Sequence, residues 1–376
     1  MIRVRERWIA FSLLVSCGLL ALSLSAQDKS AAPPPQKTAA EQFKNIQVLK
    51  DIPADQLIPG MQFIAASLGV DCEYCHVEHA FDKDDKKPKV TARKMIEMMT
   101  AINKENFESH REVTCYSCHR GAAHPVATPI LSAEGEAKPP QMMAGEATPA
   151  SGLPNAQDLL SKYLSAVGGS AALAKVNTRV EKGNITTGDQ KMPIEIFTKA
   201  PDSRASVMHM KQGESVTAYN GTQGWLSFPG RVHMMNAQES ADARIDADLK
   251  FPENVAHMYS KFVVRPGEQV DGKDTWLVVG RNEGQPPLRL YFDQQSGLLL
   301  RMLRYVDSPL GYNPTQIDYS DYRDANGVKI PYRWTLARPG NRFTIQVDEA
   351  QQNVAVDDSL FVVPKPPAPP SNVSVH

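Results

Sequence analysis

Apolar positions along the chain follow two different periods. Met61, Ile64, Ala65 and Leu68 recur at i, i+3, i+4 and i+7, and Met95, Met98, Met99 and Ile102 repeat the same spacing. Each set marks one apolar face of a helix. The first helix is predicted to begin near Asp55 and to stop at Gly69, a residue suited to a helix C-cap. The second is predicted to begin after Pro88, with Thr91 as N-cap, and to run to about Phe107. Leu159, Leu160, Tyr163, Leu164 and Val167 predict a third helix that ends at Gly168-Gly169, followed by a short one over 171–176.

Beyond Thr178 the pattern becomes strand-like. Segments 192–197, 215–219, 275–279 and 288–292 are rich in β-branched and aromatic residues and are separated by turn signals. Asp271-Gly272 and Asn326-Gly327 are hairpin dipeptides, because both tolerate the positive φ that a tight turn demands. An interruption over 237–259 reads as helical.

Polar, Pro-rich stretches divide this pattern. Arg3, Arg5 and Arg7 precede an apolar run over 8–24 that closes in Ser25-Ala26-Gln27, the layout of an export signal. Residues 1–26 are therefore expected to act as a signal peptide or membrane anchor, and 27–40 as a Pro-rich tether. Leu14-Val15-Ser16-Cys17 also fits a lipobox, with Cys17 lipidated. Residues 127–153 read as a linker and 365–376 as a polar, Pro-rich tail. This leaves folded regions over 41–126 and 154–364. The expected location is periplasmic or otherwise extracytoplasmic, with membrane association through the N-terminus.

Composition adds an exclusion. The 376 residues are 42% hydrophobic and 22% charged, with formal net charge -1. Residues 41–130 carry slightly more acidic than basic side chains, so nothing supplies the basic patch that nucleic-acid binding needs.

The chain has five cysteines. Beyond Cys17 they lie in Cys72-Glu73-Tyr74-Cys75-His76 and Cys115-Tyr116-Ser117-Cys118-His119. Both are C-x-x-C-H, the attachment signature of c-type haem. Two thiols three positions apart reach the two vinyl groups of one porphyrin edge, and the adjacent histidine lies under the iron. Zinc, paired disulfides and a thioredoxin-like redox site are the competing readings. The 39 residues between Cys75 and Cys115 exceed the usual zinc spacing, and none of these readings calls for histidine after both pairs. Two c-type haems are expected, with Cys72, Cys75, His76, Cys115, Cys118 and His119 binding them and His76 and His119 as iron ligands. A methionine on the preceding helix face can be the distal ligand, or it can fill the core. Spacing alone leaves both open.

The stretch Asn45-Ile46-Gln47-Val48-Leu49-Lys50-Asp51, then Gly60-Met61, then the first motif, resembles the first haem unit of the photosynthetic reaction-centre cytochrome c subunit family. Arg93 to Asn103, followed by Val113-Thr114 and the second motif through Arg120-Gly121, resembles the second. The resemblance covers about residues 41–125. It implies an all-α region in which each helix lies along its haem and supplies the distal methionine: Met61 for the first haem, and Met98, five residues before Asn103, for the second. That family carries four haems in two pairs, whereas one pair exists here, and its photosynthetic role is not carried over. His79, His110 and His124 remain as alternative distal ligands.

The strand-rich region, with Ala218 to Trp225 and Asp321 to Pro331 as its marks, resembles the LolA and LolB lipoprotein carriers and receptors. That resemblance implies an α+β domain with a curved antiparallel half-barrel sheet over an apolar cavity. His209, His233 and His257 are scattered singly, and Trp225, Trp276 and Trp334 are expected in the core or the cavity wall. The chain thus reads as multidomain: a small all-α dihaem c-type cytochrome domain followed by the α+β domain. The expected function is extracytoplasmic electron transfer by a non-catalytic carrier. Its expected partners are redox donor and acceptor proteins or a quinol-like donor, with an apolar ligand or lipoprotein for the C-terminal region. The rival reading is a haem peroxidase, reductase or sensor with one open axial site.

Overall fold

Helix-forming and strand-forming segments separate along the chain, as their periods require. The computed structural model describes residues 37–125 and 152–364. Cys17, the expected signal, most of the tether, the linker up to Ser151 and the tail lie outside these residues. Among the described residues, no helix is long and apolar enough to cross a membrane.

The N-terminal region is helical: α1 (Ala39–Gln42), α2 (Leu57–Leu68), α3 (Cys72–Cys75), α4 (Lys87–Asn106) and α5 (Cys115–His119). A single 3-10 turn, Ala54–Gln56, leads into α2. Gly69 caps α2 with φ 66°, and the Val70 N–H closes the end on Ala65 O at 3.1 Å. α4 starts earlier than the sequence predicts. Pro88 sits inside its first turn, where its missing N–H costs no hydrogen bond, so Thr91 lies within the helix instead of capping it.

Next come α6 (Ala156–Ala166) and α7 (Ser170–Leu173), then the first meander. It comprises β1 (Thr178–Thr187), β2 (Gln190–Lys199), β3 (Ser203–Met210), β4 (Gly213–Asn220), β5 (Gly224–Phe228) and β6 (Arg231–Met234). The helices α8 (Ala237–Ala247) and α9 (Phe251–Asn254) follow. The second meander is β7 (Lys261–Pro266), β8 (Thr275–Arg281), β9 (Leu288–Asp293), β10 (Leu299–Ser308), β11 (Gly311–Ala325), β12 (Val328–Arg338) and β13 (Asn341–Gln352).

Among the described residues, all strands join one antiparallel 13-stranded sheet with β6 and β7 at its open edges. β1 pairs β13 in the middle, which fuses the two meanders. α8 packs on β3, β4 and β5 and also on β10, so the sheet curls around it. Leu160, Val167, Ile196, Val278, Leu290 and Phe292, all nearly fully buried, fill the core between α6 and the sheet. The Tyr163 and Phe292 rings meet there at 5.2 Å. At the α8 contact, buried Arg304 donates to Asp246 at 3.0 and 3.2 Å and to Asp242 O at 2.8 Å. Burial opposes its charge, but Asp246 and Asp242 outweigh that and hold the guanidinium protonated.

The sheet also reaches into the helical region. The tip of the β10–β11 hairpin carries Leu310, which shares one apolar cluster with Phe63, Ile64, Ile96 and Met99. Asn313 donates to Pro59 O at 2.8 Å, and Arg111 pairs with Asp307 at 2.7 Å and donates to Ser308 O. Gly311, at φ 154°, lies so close under the Phe63 ring that a Cβ would stand 2.5 Å from it.

Candidate functional site

Both C-x-x-C-H segments fold as single helical turns. In α3 this sets Cys72 and Cys75 one turn apart, with His76 leaving the turn in extended conformation. In α5 the Thr114 N–H donates to Ser117 Oγ at 3.0 Å, and Arg120 ends the turn in left-handed conformation. Among the described residues, Cys72, Cys75, Cys115 and Cys118 form no disulfide. Burial pushes the Cys75 and Cys115 thiols up.

Each turn opens on its own cavity. The first, about 630 Å³, is lined by Cys72, Cys75, His76 and Met61, with Leu57, Ile64, Val70, Phe81 and Ile96 as apolar wall. The second, about 390 Å³, is lined by Cys115, Cys118, His119, Met95, Met98 and Met99, with Leu68, Ile102 and Val113. Both volumes fall in the range of about 300–1,000 Å³ for cofactor pockets. Ile64, Cys75, Ala92 and Ile96 line both, so the two cavities share a wall. Gly69 brings the units together as well: the Gly121 N–H donates to Ser67 O at 2.9 Å, and a Cβ on Gly69 would stand 2.2 Å from Gly121 O.

The histidines are oriented alike. His76 Nδ1 lies 3.0 Å from Phe81 O, and His119 Nδ1 lies 2.9 Å from Ala122 O. A carbonyl oxygen only accepts, so Nδ1 carries the proton in both rings and Nε2 keeps a lone pair for a metal. The donor set therefore fits c-type haem: paired thiols, a histidine with free Nε2 and an apolar cavity at each turn. The two cysteine pairs do not converge, and among the described residues no three His, Cys, Asp or Glu side chains gather as for a bare metal ion.

The structure separates the methionines. Met61 lines the first cavity. Met99 is buried in the Leu310 cluster, whereas Met95 and Met98 are 37% and 49% exposed on the second cavity. Of the spare histidines, His79 lines the first cavity and His124 the second, and His110 lines neither.

One group went unread in the sequence. Asp84 accepts both Arg93 nitrogens at 2.8 and 2.9 Å, with Asn45 Nδ2 at 3.0 Å and Lys89 Nζ at 3.1 Å. Hydrogen bonds from Arg93 and Lys89 hold its carboxyl well below the usual carboxylate range. Lys89 is 8% exposed, and its ammonium donates to Phe81 O at 2.8 Å and Lys83 O at 2.7 Å. The signal for it was faint. Lys89, Ile96 and Asn103 recur every seven residues on the buried side of α4, and a polar residue on such a stripe implies a partner.

Paired thiols beside oriented histidines in adjoining apolar cavities define a c-type cytochrome. The chain belongs to the photosynthetic reaction centre cytochrome C subunit family, whose model matches residues 20–254. The photosynthetic reaction center cytochrome c subunit of Thermochromatium tepidum is 38% identical over 88 residues, 22% of this chain and 22% of that protein. Cytochrome c-554 of Chloroflexus aurantiacus is 33% identical over 85 residues, 21% of this chain and 20% of that protein. The matched part thus spans about a fifth of these relatives. Among solved structures, a DUF1329 family protein of Desulfovibrio piger covers 55% of this chain and 96% of its own, at 11% identity and TM-score 0.39. A LolA superfamily protein of Nitrosomonas europaea covers 56% of this chain and 99% of its own, at 12% identity and TM-score 0.38. Scores this low leave the role of the sheet to its own residues.

Proposed function

We propose that the chain is an extracytoplasmic electron carrier that holds two covalent haems. Cys72 and Cys75 would hold the first through thioethers, with His76 and Met61 as its iron ligands. Cys115 and Cys118 would hold the second, with His119 and Met98. When bound, the iron porphyrin supplies one-electron redox chemistry. The protein orients each histidine through a backbone carbonyl, offers a soft thioether that favours the reduced iron, and keeps water from the apolar walls.

The observation that carries this reading is the pair of adjoining cavities, each holding one C-x-x-C-H turn and a methionine. Ile64, Cys75, Ala92 and Ile96 line both cavities, which supports a reading of two neighbouring sites. Redox donor and acceptor proteins, or a quinol-like donor, are the proposed partners. A periplasmic location, reached through the N-terminal segment, belongs to the same reading.

The test is a haem assay on protein matured in a periplasm with haem-attachment machinery. Two haems per chain surviving denaturation, a sulfur-to-iron charge-transfer band in the oxidised form and no rapid carbon monoxide uptake are expected. One haem, or a site that binds carbon monoxide at once, would favour the enzyme or sensor reading instead.

A further inference from the structure

Lys89 is a charged side chain with almost no exposure, set on the helix that carries Met98. Burying an ammonium is expensive unless it is fully partnered, and its partners are informative. The oxygen it meets at 2.8 Å is Phe81 O, the same oxygen that accepts the His76 ring N–H at 3.0 Å. Its other contacts, Lys83 O at 2.7 Å and Asp84 at 3.1 Å, pin the loop that presents this carbonyl. Lys89 also lines the first cavity beside His76, Met61 and Arg93.

We propose that Lys89 is a positioning residue that tunes the first iron site through the Phe81 carbonyl. This rests on the two-haem reading above. A histidine becomes a stronger electron donor as its Nδ1–H is drawn toward an acceptor. An ammonium on the same oxygen withdraws that oxygen's electron density and weakens its pull on the imidazole. His76 is thus a weaker donor to iron than a ring bonded to an uncommitted carbonyl. The positive charge beside the cavity acts the same way, since it disfavours the more positive, oxidised iron. Both effects raise the potential of the first site. Ala122 O, which holds His119, has no lysine partner among the described hydrogen bonds, so the second site lacks the device and serves as an internal reference.

The experiment is an optical redox titration of the full-length, haem-loaded protein and its Lys89→Met variant. A Met61→His variant identifies which component is the first site by the loss of its sulfur band. The expected result is a fall in the first-site potential with the second unmoved, and a return toward the wild-type value in Lys89→Arg. If Lys89→Met does not fold, Lys89→Gln removes the charge while keeping a donor for the loop, and the same directional shift is expected. A folded variant in which neither potential moves, or both move together, overturns the assignment to Lys89 and leaves the two-haem reading standing. Absence of covalent haem from the wild-type protein overturns both.

Discussion

Asn103 clasps the backbone of Val113 from both sides: its Nδ2 donates to Val113 O at 2.7 Å, and its Oδ1 accepts the Val113 N–H at 2.9 Å. The asparagine is 5% exposed on α4, and Val113 leads directly into the second C-x-x-C-H turn. The pair therefore fixes the distance between the methionine helix and its cysteines. Asn103→Leu leaves two backbone groups unpartnered, which costs about 1–3 kcal/mol for each group that water does not reach. Chemical denaturation would show this as a lower midpoint at an unchanged slope, and an unaltered midpoint would mean that water replaces the clasp.

The three methionines of α4 should behave differently when truncated. Met98→Ala is expected to admit carbon monoxide to one haem of the reduced protein with little change in stability. Met95→Ala should leave both spectra and stability near wild type. Met99→Ala empties a core position and should cost about 2–5 kcal/mol without opening an iron site. Difference spectra and thermal unfolding on the same samples separate these outcomes, and carbon monoxide uptake by the Met95 variant instead would move the ligand assignment.

Leu310 tests whether the sheet is needed by the helices. It is 2% exposed and belongs to the cluster that includes Ile64 and Ile96, the shared wall of the two cavities. Leu310→Ala is expected to lower stability by about 2–5 kcal/mol. Val362→Ala, at a position 66% exposed, should not. Equal stability of both variants would show that the hairpin merely rests on the helices.

Acid should weaken the carboxylate that braces the first cavity. Asp84 is a stronger acid in the folded chain than in the unfolded one, where its pKa is near ~3.9. The unfolded chain therefore takes up this proton first as pH falls. The stabilisation is complete above the ordinary carboxylate range and declines below pH ~4. Asp84→Asn should flatten that part of the stability curve, as followed by denaturation from about pH 5 down into strong acid.

What could be read in the sequence was what repeats locally. Gly69 ends α2 as its left-handed tolerance foretold, and Asn326-Gly327 turns β11 into β12 with φ of 52° and 87°. Thr91 misled because a threonine ahead of an apolar run resembles a cap, while Pro88 was already inside the helix. The Asn313 bond to Pro59 spans 254 residues, and no periodicity encodes a contact at that separation. Lys89 escaped for a related reason: its value lies in a carbonyl that the sequence does not display.

The central pairing of β1 with β13 has a consequence in time. Thr186 lies opposite Thr344, so the first strand of the sheet has no inner neighbour until the last has been synthesised. Pairings so distant along the chain form slowly. Leu310 arrives almost as late, which leaves the core beneath α2 and α4 open until then. Under the two-haem proposal, the four thiols near the N-terminus would stay open to haem attachment for as long as that closure is pending.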